Sequence, residues 1–252
     1  MRLGFLGTGE ITAAMVRSLA GQGHAILVSP RNATMAATLA AELPGVGIAP
    51  NEQVVAGSDV VFLCLLARVA DDVLPGLPFR ADHTVISVMV DAPLAKLRQL
   101  CAPATDIAIT IPLPPIAEGG CPLPVYPASP VLEALFADRN LILTQPSEEA
   151  LNAHLGASAL CATQLDQIMT ATDWLSGFTG NPDAAEAYVA AMIRAYLPDR
   201  PRGGELPVAL RMLSTEGGFN ATLRAAMAPS REDLRRALDG FRKRLGLPEK
   251  DE

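Results

Sequence analysis

Histidine and cysteine are scarce in this sequence, and neither occurs in a pattern that suggests a metal site. The four cysteines lie far apart, at positions 64, 101, 121 and 161, and none forms a C-x-x-C pair. This spacing predicts neither a zinc site nor a disulfide framework. We expect Cys64, which lies in an apolar segment, to be inert core. His24 and His83 lie in or beside turns and are expected to be solvated.

A block of basic residues and a long apolar run are also missing. The formal net charge is −7, which argues against a nucleic-acid-binding surface. No apolar run reaches the length of a membrane span, and residues 1–6 have the pattern of a strand rather than of a signal peptide. We therefore expect a cytoplasmic protein that binds no nucleic acid, no membrane and no metal.

The chain begins with a strand, a glycine turn and a helix. Residues 3–6 are apolar, and apolar residues recur at helical spacing directly after Gly9. The segment Gly7–Thr12 reads Gly-x-Gly-x-x-Thr, a variant of the dinucleotide-binding fingerprint. Such a turn lets a pyrophosphate approach the backbone at the N-terminus of the following helix. The predicted cofactor contacts here are Gly7, Thr8, Gly9, Glu10 and Ile11.

The end of the second predicted strand, residues 25–29, indicates which dinucleotide is bound. NAD-binding chains of this type place Asp or Glu there to hydrogen-bond the ribose 2′-hydroxyl. This chain instead has Ser29-Pro30-Arg31-Asn32, with a guanidinium and no carboxylate. A guanidinium can donate two parallel hydrogen bonds to a phosphate. Ser29, Arg31 and Asn32 are therefore predicted to contact NADP, at its 2′-phosphate.

Short strands alternate with helices from residue 1 to about residue 111, which predicts a parallel sheet. The proline-rich residues 112–130 are expected to form an irregular rim. Ligands bind outside the carboxyl ends of the strands in such sheets, so Leu65, Leu66 and Pro112 are predicted to contact the cofactor. A helix over residues 131–137 and a strand over 141–143 complete the predicted Rossmann-type doubly wound α/β domain, residues 1–146.

Residues 147–252 have a helical pattern throughout and predict an all-α domain. The first helix is expected over residues 147–175, a second over 183–196, and a break at Pro201–Gly204 precedes three more helices. The first helix is apolar or small on most of its faces and must be covered on all sides. About a hundred residues can hardly provide that cover alone. We therefore predict a homodimer formed through this domain.

Five stretches of the chain resemble the pyrroline-5-carboxylate reductases. The resemblance implies an NADP-binding domain followed by a helical dimerisation domain. It also implies NADPH-dependent hydride transfer to a small cyclic imine, as in proline biosynthesis. The stretches are Gly4–Ile11, Val28–Asn32, Ser58–Ala67, Ile86–Val88 and Leu213–Met227.

Differences from that family concern the substrate positions more than the cofactor turn. Leu66-Ala67 stands where the family usually has Lys-Pro, and Gly156–Leu160 replaces a Ser-Gly-Ser-Gly-Pro helix start. Two alternatives therefore stay open: another NADP-dependent oxidoreductase of the hydroxyacid dehydrogenase type, and a cofactor-binding protein without turnover. The absence of lysine from residues 147–175 argues against the hydroxyacid class, which uses a lysine on its long helix as acid and base.

Four residues of the C-terminal half are candidates for the substrate site. His154 lies at the level where the family's substrate would sit, and histidine is the residue type that most often serves as a proton donor in catalysis. Ser158, one helical turn further on, could hydrogen-bond a substrate carboxylate. Backbone N–H groups near Gly203 and Gly204 could hold the same carboxylate, although these glycines could equally form only a bend.

Overall fold

The computed structural model describes residues 1–197 and 203–248. Within this part of the chain, eight strands form one sheet in the order β3-β2-β1-β4-β5-β6-β7-β8. The strands are β1 Arg2–Leu6, β2 Ala25–Val28, β3 Val46–Ile48, β4 Val60–Leu63, β5 Thr84–Ser87, β6 Asp106–Thr110, β7 Pro122–Tyr126 and β8 Leu141–Thr144. All neighbouring strands are parallel except β6 and β7. The predicted Rossmann-type α/β fold is confirmed.

Seven helices follow or connect these strands, and five more complete the described chain. The first seven are α1 Glu10–Leu19, α2 Ala33–Glu42, α3 Asn51–Ala56, α4 Ala67–Val73, α5 Leu94–Leu100, α6 Pro130–Phe136 and α7 Glu148–Ser158. The others are α8 Leu160–Thr179, α9 Pro182–Ala195, α10 Glu205–Met212, α11 Phe219–Ala226 and α12 Ala228–Asp239. The chain divides into two compact units, Met1–Leu155 and Gly156–Glu252.

The sheet of the first unit is buried on both faces. Leu3 and Phe5 of β1 lie in one hydrophobic cluster, while Leu6 lies in a second. Successive side chains of a strand point to opposite faces, so the two clusters lie on opposite sides of the sheet. Side chains of α1, α2 and α6 belong to the first cluster, and those of α3, α4 and α5 to the second. This is the two-sided cover that a parallel sheet requires.

The proline-rich rim contains a strand that the sequence did not predict. Residues 122–126 form β7, antiparallel to β6 and parallel to β8. The Pro124 carbonyl accepts hydrogen bonds from the β6 side, from Thr110 Oγ1 at 2.8 Å and Ile111 N at 3.4 Å, whereas the Val125 carbonyl accepts from Gln145 N beyond β8. Because proline has no backbone N–H group, Pro124 lacks a hydrogen-bond donor on the side that faces β6. Pairing on that side is limited to two residue pairs, so the missing donor costs little.

The second unit is helical where it is described. The helix predicted over residues 147–175 is two helices, α7 and α8, separated at Ala159. Asn181 caps α9, since its side chain accepts a hydrogen bond from Ala184 N. Residues 201 and 202 of the predicted break lie outside the described residues. No helix of the described chain has the length and apolar composition to cross a membrane.

The prediction of a solvated His83 is wrong. His83 precedes β5 and is fully buried, with its ring edge-to-face against Phe79. Its Nδ1 accepts a hydrogen bond from Arg80 N at 3.0 Å. Burial, and then the charge of Arg80, lower the pKa of His83, while Asp82 and Asp59 oppose this effect. The apolar Phe79, four residues earlier, is the signal that could have indicated burial.

This environment predicts that acid destabilises the fold through His83. A histidine pKa that is lower in the folded than in the unfolded protein gives stability that is present above the unfolded value, about 6.5, and is lost as the pH falls. We expect the urea midpoint of the wild-type protein to fall more between pH 7.5 and pH 5.5 than that of His83→Gln. An equal fall in both proteins would contradict this assignment.

Candidate cofactor-binding site

The glycine turn between β1 and α1 is built from local hydrogen bonds. Gly7 has φ +92°, and a Cβ there would lie 2.4 Å from the backbone oxygen of Cys64, so only glycine fits without rearrangement. Gly7 N donates to Ser29 Oγ at 2.8 Å, and Thr12 Oγ1 donates to Gly7 O at 2.7 Å. Thr12, in place of a third glycine, thus ties the helix back to the turn.

Gly9 differs from Gly7 because nothing in the protein requires a glycine there. An ideal Cβ on Gly9 would meet no atom within 4 Å, and its φ of −101° suits any residue. Gly9 precedes Glu10, the first residue of α1, and α1 has no side-chain cap. The space over Gly9 therefore opens onto the unpaired N–H groups of a helix start, which is the environment that binds phosphates.

The three predicted contacts after β2 have different surroundings. Ser29 is buried, and its carbonyl accepts a hydrogen bond from the buried Thr8 hydroxyl, so both side chains serve the turn itself. Asn32 caps α2, with Oδ1 accepting from Met35 N at 3.2 Å. Arg31 is exposed. Whether Thr8, Ser29 and Asn32 also contact a cofactor remains a prediction, whereas Arg31 is accessible to one.

The predicted contacts after β4 and β6 lie at the same edge of the sheet. Leu65 is buried against the turn, with its Cδ2 3.2 Å from an ideal Cβ on Gly7, and Leu66 is half exposed. Pro112 follows β6 and is buried. Burial raises the pKa of the neighbouring Cys64 thiol to about 12, which agrees with the prediction of an inert thiol. This edge therefore offers mainly backbone and apolar contacts.

Sequence reasoning missed two polar residues at this edge. Asn51 begins α3 directly beyond β3, and Arg68 is the second residue of α4 beyond β4. Both follow strands that lie on either side of the β1–β2 pair in the sheet order. The first polar side chain after each strand was a usable signal, but it becomes informative only when the strand order is known.

The predicted substrate residues are placed as follows. His154 lies on α7, where Nδ1 donates to Ala150 O at 2.8 Å and leaves Nε2 to take or give a proton. Ser158 is the last residue of α7, one turn beyond His154. Gly203 and Gly204 have φ of +85° and +76° and precede α10. Their roles stay predictions.

The turn, the open helix start and the strand order together define a dinucleotide-binding domain of the Rossmann type. Residues 2–91, which contain the turn, match the family model described as NADP oxidoreductase, coenzyme F420-dependent. Both findings support the predicted class of NAD(P)-dependent oxidoreductase. The described residues contain no group of three or more His, Cys, Asp or Glu side chains that could hold a metal ion.

Solved structures with the same fold cover almost the whole chain. The pyrroline carboxylate reductase of Plasmodium falciparum, solved with NADP bound, has a TM-score of 0.77 at 14% identity, covering 97% of each chain. The pyrroline-5-carboxylate reductase of Coxiella burnetii has a TM-score of 0.78 at 16% identity, covering 99% of this chain and 98% of that one. The predicted resemblance to this family is thus confirmed at the level of the fold.

A third solved structure shares the fold over almost the whole of this chain. The reductive aminase of Aspergillus terreus, in complex with NADPH and ethyl-5-oxohexanoate, has a TM-score of 0.63 at 18% identity and covers 98% of this chain and 88% of that one. No protein among the curated sequences matches the chain.

Proposed function

We propose that the protein is a cytoplasmic NADPH-dependent reductase of a small cyclic imine that carries a carboxylate, with a proline-like product. The open space over Gly9 at the uncapped start of α1 carries the proposal, because it leaves room for a pyrophosphate where the backbone offers donors. The accessible Arg31 supports NADPH over NADH. NADP or NADPH is present in two of the similar structures, those of P. falciparum and A. terreus.

The chain's own residues would mainly bind and orient the reactants. NADPH, when bound, supplies the hydride. An imine carbon is already electrophilic, so the reaction needs close placement more than acid or base catalysis. Gly7, Gly9 and the start of α1 would hold the pyrophosphate, and Arg31 the 2′-phosphate. We propose His154 as proton donor through Nε2, and Ser158 with the backbone of Gly203 and Gly204 as carboxylate contacts.

A second copy of this chain is the partner that we propose for the helical unit. Eight large apolar side chains of this unit are at least 60% exposed, and exposed apolar surface of this extent is typical of a protein–protein interface. They are Leu165, Met169, Trp174, Phe178, Tyr188, Met212, Phe219 and Leu223. On α8 they lie on opposite faces, since Leu165 and Trp174 are about half a turn apart in direction.

The reaction is tested by following NADPH oxidation with pyrroline-5-carboxylate and related cyclic imines. We expect turnover with at least one imine that carries a carboxylate, and a shift of the kcat pH profile in His154→Gln. Turnover only with 3-hydroxyacids and NADP would instead establish the hydroxyacid dehydrogenase alternative. Tight NADPH binding without turnover of any of these compounds would favour the other alternative, a cofactor-binding protein that catalyses no reaction.

A further inference from the structure

Most lysine and arginine side chains of the first unit form an ion pair or donate a hydrogen bond. Arg2, Arg17, Arg80 and Lys96 form ion pairs, and Arg139 donates to the Glu118 carbonyl. Within the described residues, three exposed arginines of this unit have neither an ion pair nor a side-chain hydrogen bond. They are Arg31, Arg68 and Arg98.

Two of these three arginines lie on either side of the glycine turn. Arg31 follows β2 and Arg68 follows β4, and these two strands flank β1. Neighbouring strands are about 4.8 Å apart, so the ends of β2 and β4 are about 10 Å apart. Arg98 lies in the last turn of α5, which runs back toward the amino edge of the sheet. It therefore lies away from the turn.

The backbone at Arg68 is held in place by its neighbours, although the Arg68 side chain forms neither an ion pair nor a hydrogen bond in the described structure. The chain after β4 passes against the turn, where the Cys64 carbonyl and the Leu65 side chain surround Gly7. Ala70 anchors α4 in the core, and Asp71 pairs with Lys96 Nζ of α5 at 2.7 Å. Arg68 thus projects from a helix start that is anchored in the core, as a specificity contact should be.

We propose that Arg68 is a second specificity residue for NADPH, acting with Arg31 on the adenosine 2′-phosphate. This inference rests on the proposed function. A phosphate monoester carries a charge of about −1.5 to −2 at pH 7, so one guanidinium does not neutralise it and two on opposite sides do. Glu10, the exposed carboxylate of the turn, forms no ion pair with either arginine in the described structure.

The test compares Arg68→Ala with Arg31→Ala, the double variant and the control Arg98→Ala. Dissociation constants for NADPH and NADH are measured by titration at low salt. We expect Arg68→Ala to weaken NADPH binding about tenfold and NADH binding less than about twofold, the scale of one charge-assisted contact. Arg98→Ala should leave both constants unchanged. The double variant should lose less than the product of the two single losses, because both arginines hold one group.

Three results would overturn the inference. Arg68→Ala could bind NADPH as tightly as Arg98→Ala does. It could weaken NADPH and NADH equally, which would place the contact at the adenine or the pyrophosphate. The losses of the two single variants could multiply in the double variant, which would assign the arginines to separate groups. A wild-type protein that binds NADH but not NADPH would refute the proposed cofactor itself, and is distinguishable from all three.

Discussion

Gly9→Ala is expected to reduce NADPH affinity on the order of 100-fold, about 2.7 kcal/mol, while leaving thermal stability unchanged. The new methyl group would meet no protein atom within 4 Å, and the backbone at Gly9 tolerates alanine. It would, however, project into the space through which a pyrophosphate reaches the start of α1. NADPH titration and thermal unfolding of the same preparation measure the two effects separately.

Gly7→Ala provides the matched contrast within the same turn. Its methyl group would lie 2.4 Å from the Cys64 carbonyl oxygen at a φ of +92°, so the backbone must shift. We expect a loss of stability of roughly 2–4 kcal/mol, the scale of strain at a special backbone position. Unaltered NADPH binding by Gly9→Ala would show that the open space over the turn is not the pyrophosphate site.

Replacing Trp174 and Phe178 together by aspartate is expected to convert a dimer into monomers. Their rings pack on each other, with centroids 5.0 Å apart, but remain largely exposed on α8. Large aromatic side chains at the centre of an interface each contribute about 2–4 kcal/mol of binding free energy, and two buried carboxylates would add a desolvation cost. Sedimentation velocity at micromolar concentration should show dimers for the wild-type protein and monomers for the variant.

Two further measurements make this dimer prediction specific. Gln99→Asp places a carboxylate on an exposed position of α5, outside the helical unit, and should leave the dimer intact. Phe178→Ala, with circular dichroism as a check of helical content, separates a weakened interface from an unfolded helical unit. A wild-type protein that sediments as a folded monomer would refute the proposed partner.

Local patterns predicted the first unit well where they were strong. The glycine turn and the apolar β4 each determine local structure with little help from distant residues. The strand β7 was not predictable in this way. Its prolines argue against a strand, and only the neighbours β6 and β8, which supply partners on both sides, make the pairing favourable.

The site was predictable in part for the same reason. Residues next to a recognisable turn, such as Gly9 and Arg31, could be named from the sequence. Arg68 could not, because its proposed role depends on β4 lying beside β1, which is a property of strand order. His83 is a case in which the local pattern misled. As a polar residue beside a turn it was expected to be solvated, but it is buried because its ring packs against Phe79.

The reversed direction of the last two strands, β7 and β8, has a consequence for stoichiometry. Among the described strands the order changes direction once, between β1 and β4, and a crevice for a dinucleotide forms where that happens. Beyond β6 the antiparallel β7 prevents the second half of the sheet from repeating the parallel arrangement of the first. The described part of each chain therefore has one dinucleotide crevice, so a calorimetric titration should saturate at one equivalent of NADPH per chain, and at two per proposed dimer.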